Sequence, residues 1–183
     1  MQIPHFFYFT DHGRGRAPLE MAELLPQEVG IIFRHYEAPN RAQIAEEISE
    51  ICQKRRLFLS IAGDPQLAAE VGAEGVHLPE FMIAKIPLMI TKYPNLIIST
   101  ACHSVSSLRQ ANQLGADFSF ISPLFPTNSH PGARHLPVHA VARELGDLDI
   151  PVLGLGGITH NRWRQIQQMG FQGFGAIDLF EGA

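Results

Sequence analysis

Phe118-Ser119-Phe120-Ile121-Ser122-Pro123-Leu124-Phe125-Pro126-Thr127-Asn128-Ser129-His130-Pro131-Gly132-Ala133-Arg134 begins as an apolar, strand-like run and becomes a long polar loop. Pro, Gly, Asn and Ser set turns rather than regular structure, so a buried strand delivers a loop here. Loops of this length are uncommon inside a compact domain, and three prolines beside an Arg and a His read as function.

The same unit, a short apolar run ending at a polar or glycine-rich corner, repeats along the chain. It covers residues 6–10, 30–36, 57–61, 75–78, 96–102, 118–122, 151–155 and 173–177. Helical stretches lie between these runs. Pro18 opens one, Asn40 caps one whose Ile44, Ile48 and Ile51 recur at helical spacing, and others cover residues 65–71, 85–93 (broken early by Pro87) and 138–145. Ser104 opens a further helix that stops at Gly115. Eight apolar strands alternating with helices, with no hairpin signal between them, require parallel pairing through crossover helices. Eight such units close into a (β/α)8 TIM barrel.

Such barrels typically run to about 250 residues, with a lower end of roughly 200. This chain has 183, and only Glu181-Gly182-Ala183 follow Phe180, so the last helix is expected to be missing or vestigial. Without that helix Phe174 or Phe180 would lie open, and an apolar patch of this kind is expected to be covered in a homodimer. The competing open doubly wound sheet would place a glycine-rich fingerprint after the first strand, and Asp11-His12-Gly13-Arg14-Gly15-Arg16 is a poor one.

A chain of 183 residues, 45% hydrophobic, is long enough for one domain around one core. The net charge is −4 and no basic run extends beyond Lys54-Arg55-Arg56, which argues against nucleic acid as a partner. That triplet reads as the end of a solvated helix, where positive charge favours the dipole. Two cysteines, Cys52 and Cys102, without metal-type spacing point to a reducing, cytoplasmic setting. No apolar run is long enough to span a membrane, and the first residues lack the basic lead of a signal peptide.

In a barrel of this kind chemistry sits where strands end. Those positions hold Asp11 and His12, residues 34–37, Asp64, His77 and Glu80, Cys102 and His103, the 122–134 loop, Gly156 and Gly157, and Asp178. All three lysines, Lys54, Lys85 and Lys92, fall on expected helices, so Schiff-base chemistry is not expected. Leu153-Gly154-Leu155-Gly156-Gly157-Ile158-Thr159 fits two readings: an anion site, with backbone N–H groups and a following helix end facing a phosphate, or a plain tight turn. The histidines lack metal-type spacing, and Cys102 reads as a small buried hydrophobe.

Gly75-Val76-His77-Leu78-Pro79, Ala101-Cys102-His103-Ser104, Gly115-Ala116-Asp117-Phe118, Ser122-Pro123-Leu124-Phe125-Pro126-Thr127 and Gly154-Leu155-Gly156-Gly157-Ile158 together resemble the thiamine phosphate synthase and thiazole tautomerase (TenI-like) superfamily. The motifs run in the right order over almost the whole chain. Phe33-Arg34-His35-Tyr36, Ala62-Gly63-Asp64, Ser129-His130-Pro131-Gly132-Ala133 and Ala176-Ile177-Asp178 resemble a short bacterial branch. The resemblance implies joining of a hydroxymethylpyrimidine pyrophosphate to a thiazole phosphate with loss of pyrophosphate, assisted by Mg2+.

The chain departs from the synthase pattern where charge is handled. Of the Gln-x-Arg-x-Lys run after strand two only Arg34 is kept, and the family's Asn-Asp-Asp after strand three becomes Ala62-Gly63-Asp64. The second metal carboxylate falls near Met82, the loop lysine becomes His130, and the tautomerase histidine aligns with Pro123. The resemblance implies Arg34, His103 and His130 as catalytic; Asp64, one position from a lost metal ligand, and Glu80, close to the other, would stand in as holders of Mg2+. Thr127, Arg134, Gly156, Gly157, Ile177, Asp178 and His77 would bind substrate or phosphate. The lost positions leave open a binding or regulatory protein that keeps the pocket without turnover, and a TenI-like enzyme acting on a thiazole.

Overall fold

The computed structural model describes residues 2–13, 15–127 and 134–181. Eight parallel strands close into one barrel in sequence order. They are β1 (Phe6–Phe9), β2 (Val29–Phe33), β3 (Leu59–Ala62), β4 (Gly75–Leu78), β5 (Ile97–Cys102), β6 (Phe118–Ile121), β7 (Val152–Leu155) and β8 (Gly173–Ala176). Closure is made by β1, which pairs β2 on one side (Phe6 opposite Val29) and β8 on the other (Phe6 opposite Phe174).

Aromatic side chains fill the barrel's interior. Phe7 stacks on Phe118 at 5.2 Å and meets Phe58 and Phe120 edge-on, while Phe9 meets Phe120 at 4.9 Å. Glycine makes room for these rings: a Cβ on Gly30 would stand 2.6 Å from the Phe7 ring, and one on Gly175 would stand 2.4 Å from Phe9. Each of these fully buried aromatics contributes on the order of 2–3 kcal/mol by leaving water, so the barrel's centre is a packed core and the ligand space lies above it.

The helices are α1 (Pro18–Leu24), α2 (Arg41–Arg55), α3 (Pro65–Glu70), α4 (Ile86–Lys92), α5 (Val105–Leu114), α6 (Val138–Glu144), α7 (His160–Gln167) and α8 (Asp178–Glu181). Local signals place most ends. Ser104 caps α5 in a reciprocal box with Ser107, and Gly115 ends it at φ 86°. Arg56 ends α2 in the left-handed conformation, so the basic triplet does close a helix. Pro87 does not break α4; it sits in its first turn, where a missing N–H costs nothing, and Glu80–Lys85 forms a 3-10 helix ahead of it.

The second strand was expected through residue 36 but stops at Phe33. The reason is that the Arg34 N–H turns to the hydroxyl of Thr10 at 2.9 Å and leaves the ladder.

Helix α8 is described over Asp178–Glu181, and the flank beside it is closed. Phe174 is only 6% exposed. It lies against Phe6, Trp163 and Phe180, and the Tyr8 hydroxyl on the outer side of β1 donates to Glu181 at 3.1 Å. Phe174, expected to lie open, is therefore covered within the chain, and Phe180 is partly buried. Among the described residues no helix is long and apolar enough to cross a membrane.

Candidate active site at the mouth of the barrel

A cavity of about 810 Å3 opens at the C-terminal ends of the strands, displaced toward β5 to β8. That is the size range of small-molecule sites. Its floor is Phe9 and its walls carry Arg34, His103, Ser122, Thr127, Arg134, Arg162 and Asp178 among apolar residues.

Gly156 and Gly157, directly after β7, line the cavity at φ 89° and 65°. A Cβ on Gly157 would meet the Pro126 carbonyl oxygen at 2.3 Å, so only glycine lets this turn lie against the loop from β6. The two segments are tied, since the Phe125 N–H donates to the Gly156 carbonyl at 3.2 Å. Ile177 and Asp178, following β8, form the adjoining wall. The turn, residues 122–127 after β6 and the end of β8 thus converge on one cavity.

Arg34 enters from the end of β2. Its Nε donates to the Thr10 carbonyl at 2.9 Å, its Nη2 to Asp11 at 3.3 Å, and its guanidinium lies 5.5 Å from the Phe9 ring centre. His103 follows β5, with Nδ1 3.0 Å from the Ser122 carbonyl oxygen and 3.2 Å from its hydroxyl. A carbonyl only accepts, so Nδ1 bears the proton in the neutral ring and Nε2 is the acceptor. Thr127 and Arg134 line the same space, and His130 lies outside the described residues.

Three expected site residues lie elsewhere. His77 points into the barrel between Phe9 and Phe120, 3% exposed, with Nδ1 3.0 Å from the Ser99 hydroxyl. Burial first, and the Arg34 charge second, push its pKa down to about 3, so it is a neutral core residue and not a phosphate ligand. Asp64 caps α3 by accepting the Leu67 N–H at 2.9 Å, and its other oxygen faces Arg41 at 3.4 Å. Glu80 accepts the main-chain N–H of His103. Each carboxylate is engaged by a different partner, and no cluster of three His, Cys, Asp or Glu occurs among the described residues.

Arg162 joins the cavity from outside the strand ends. It sits in the first turn of α7, where the helix dipole disfavours a cation, and that mismatch was the available signal. Its Nη1 donates to the Gly157 carbonyl at 2.6 Å and its guanidinium lies 4.8 Å from the Phe125 ring centre. The glycine turn therefore has a fixed positive charge beside it. Among the described residues no lysine lines the cavity. Burial raises both thiols, Cys52 to about 12, which leaves them protonated and unreactive.

A family model described as thiamine monophosphate synthase matches residues 11–179. The chain belongs to the thiamine monophosphate synthase family. Within it, the chain is 32% identical to the "Putative thiamine-phosphate synthase 2" of Aquifex aeolicus, over 98% of this chain and 99% of that one. It is 30% identical to the thiamine-phosphate synthase of Listeria monocytogenes over 76% of this chain and 67% of that one. A solved structure of thiamine phosphate pyrophosphorylase from Pyrococcus furiosus superimposes with a TM-score of 0.80 at 24% identity, covering 97% of this chain and 87% of that one. At that identity the likeness is one of fold, and it agrees with the family's (β/α)8 barrel.

Proposed function

We propose that the chain joins a pyrimidine carrying a methylene pyrophosphate to a thiazole phosphate. The thiazole nitrogen lone pair forms the new C–N bond to the methylene, the C–O bond breaks with its electrons leaving on pyrophosphate, and thiamine phosphate results. The observation that carries this reading is the convergence of the Gly156–Gly157 turn, Arg162 and the end of β8 on one cavity that also holds Arg34.

In this reading the thiazole phosphate lies against Gly156, Gly157, Ile177 and Thr127, with Arg162 and Arg134 opposing its charge. Arg34 faces the departing pyrophosphate, where charge grows in the transition state and a fixed guanidinium is worth most. His103 orients substrate through Nε2. Phe9 and the apolar wall keep water from the activated methylene. Asp178 lies at the same wall, so the phosphate approaches from the Gly157 side, away from that carboxylate. A cytoplasmic setting belongs to the proposal and is supported by two free, buried cysteines.

The test is a single-turnover assay, with protein in excess over both substrates, run with and without Mg2+ and read as thiamine phosphate formed. Product supports the synthase. Intact substrates after prolonged incubation would overturn it in favour of a pocket that binds without turnover, the reading left open by the lost charge-handling positions.

A further inference from the structure

Arg41, the first residue of α2, sends its guanidinium to the end of β3. Nη2 donates to the Ala62 carbonyl at 2.6 Å and Nη1 faces the Asp64 carboxylate at 3.4 Å. The same group lies 5.6 Å from the ring centres of both Phe33 and Tyr36, and its side chain is 15% exposed. Its Nε is buried without a hydrogen-bond partner, so two terminal nitrogens and two aromatic faces hold it. An arginine stays charged at any working pH. A divalent ion bound to Asp64 would sit beside a positive charge that cannot ionise away and that is tied to the Ala62 carbonyl and lies against two rings. Glu80 is spent on the His103 N–H, which fixes the start of the loop after β5.

We infer that this protein binds its phosphorylated ligands without a divalent metal. The Arg41 guanidinium stands at the end of β3 where an ion would be held, and Arg34, Arg134 and Arg162 supply the counter-charge inside the cavity. The choice of ligand class rests on the synthase reading; the absence of a metal requirement rests on the engaged carboxylates. Guanidinium groups suit the task because their forked donors match phosphate oxygens two at a time.

Two measurements on the whole chain test this. Free Mn2+, followed by its electron paramagnetic resonance signal, should show no saturable binding to the wild type, whereas Arg41→Gln, shown to be folded by circular dichroism, should gain binding that Asp64→Asn removes. Calorimetry with inorganic pyrophosphate should give binding in EDTA no weaker than in Mg2+, and Arg34→Gln should weaken it about tenfold or more, the loss expected of one charge-assisted hydrogen bond. Saturable Mn2+ binding by the wild type, or pyrophosphate binding only when Mg2+ is present, would overturn the inference. So would a folded Arg41→Gln that gains no Mn2+. Thiamine phosphate formed only with added Mg2+ would overturn it while leaving the synthase standing. Pyrophosphate bound in EDTA with no product formed would sustain it and overturn the synthase.

Discussion

The Nδ1 of His103 lies 3.0 Å from the carbonyl oxygen of Ser122, so strand ends that are neighbours in the barrel set the tautomer of a ring at the cavity wall. In the neutral ring the proton sits on Nδ1, and Nε2 accepts. Long-range nitrogen-15 correlation spectra at a pH where the ring is neutral should show protonated Nδ1. A spectrum with the proton on Nε2 would remove His103 from its role as an acceptor.

Gly157→Ala should damage ligand binding and stability together. Its φ of 65° is a left-handed conformation that costs an L-residue about 1–2 kcal/mol, and the new methyl would press on the Pro126 carbonyl. Gly146→Ala is the matched control, since a Cβ there meets nothing within 4 Å. Urea denaturation and thiazole phosphate titration should separate the two variants. Equal behaviour would show that the turn is not held where the structure has it.

Arg162→Ala should raise the KM for thiazole phosphate by about 10- to 150-fold, with a smaller change in kcat. This is the range for losing a charged hydrogen-bond donor of about 1.5–3 kcal/mol that is felt equally in the bound state and the transition state. Steady-state kinetics against each substrate decide it. An effect confined to the pyrimidine pyrophosphate would move Arg162 to the other end of the cavity.

His77 makes stability depend on pH in a stated window. Its pKa is about 3 in the folded chain and about 6.5 when unfolded. Between those values the unfolded state takes up a proton that the folded state refuses, so stability is full above pH ~6.5 and falls as pH drops toward 3 by up to about 1.4 kcal/mol per unit. His35, also pushed down chiefly by burial, adds to the trend. The slope of unfolding free energy between pH 7 and 5 should therefore be shallower in His77→Gln than in the wild type, and parallel slopes would contradict a neutral His77.

The strand and helix pattern was readable because each signal is local. Ser104 and Gly115 bound α5 by their own chemistry, and runs such as residues 96–102 are apolar wherever they lie. The glycine turn at Gly156 and Gly157 and the arginine at Arg34 were readable for a related reason, since position at a strand end follows from knowing the barrel. The partners of Asp64 and Glu80 were not legible in the sequence, because a carboxylate's role depends on what reaches it. Arg41, 23 residues before Asp64, and His103, 23 residues after Glu80, reach them across the barrel's rim.

From the sequence alone follow eight parallel strands closed through crossover helices, with the polar mouth at the strands' C-terminal ends, because hydrophobic periodicity and crossover length admit few other arrangements. Tertiary structure alone decided that His77 faces the core, that Phe174 and Phe180 close the flank with Trp163, and that Asp64 is held by a guanidinium. These are pairings between residues far apart in the chain, and their energies exist only once barrel closure has brought the partners within a few ångströms of each other.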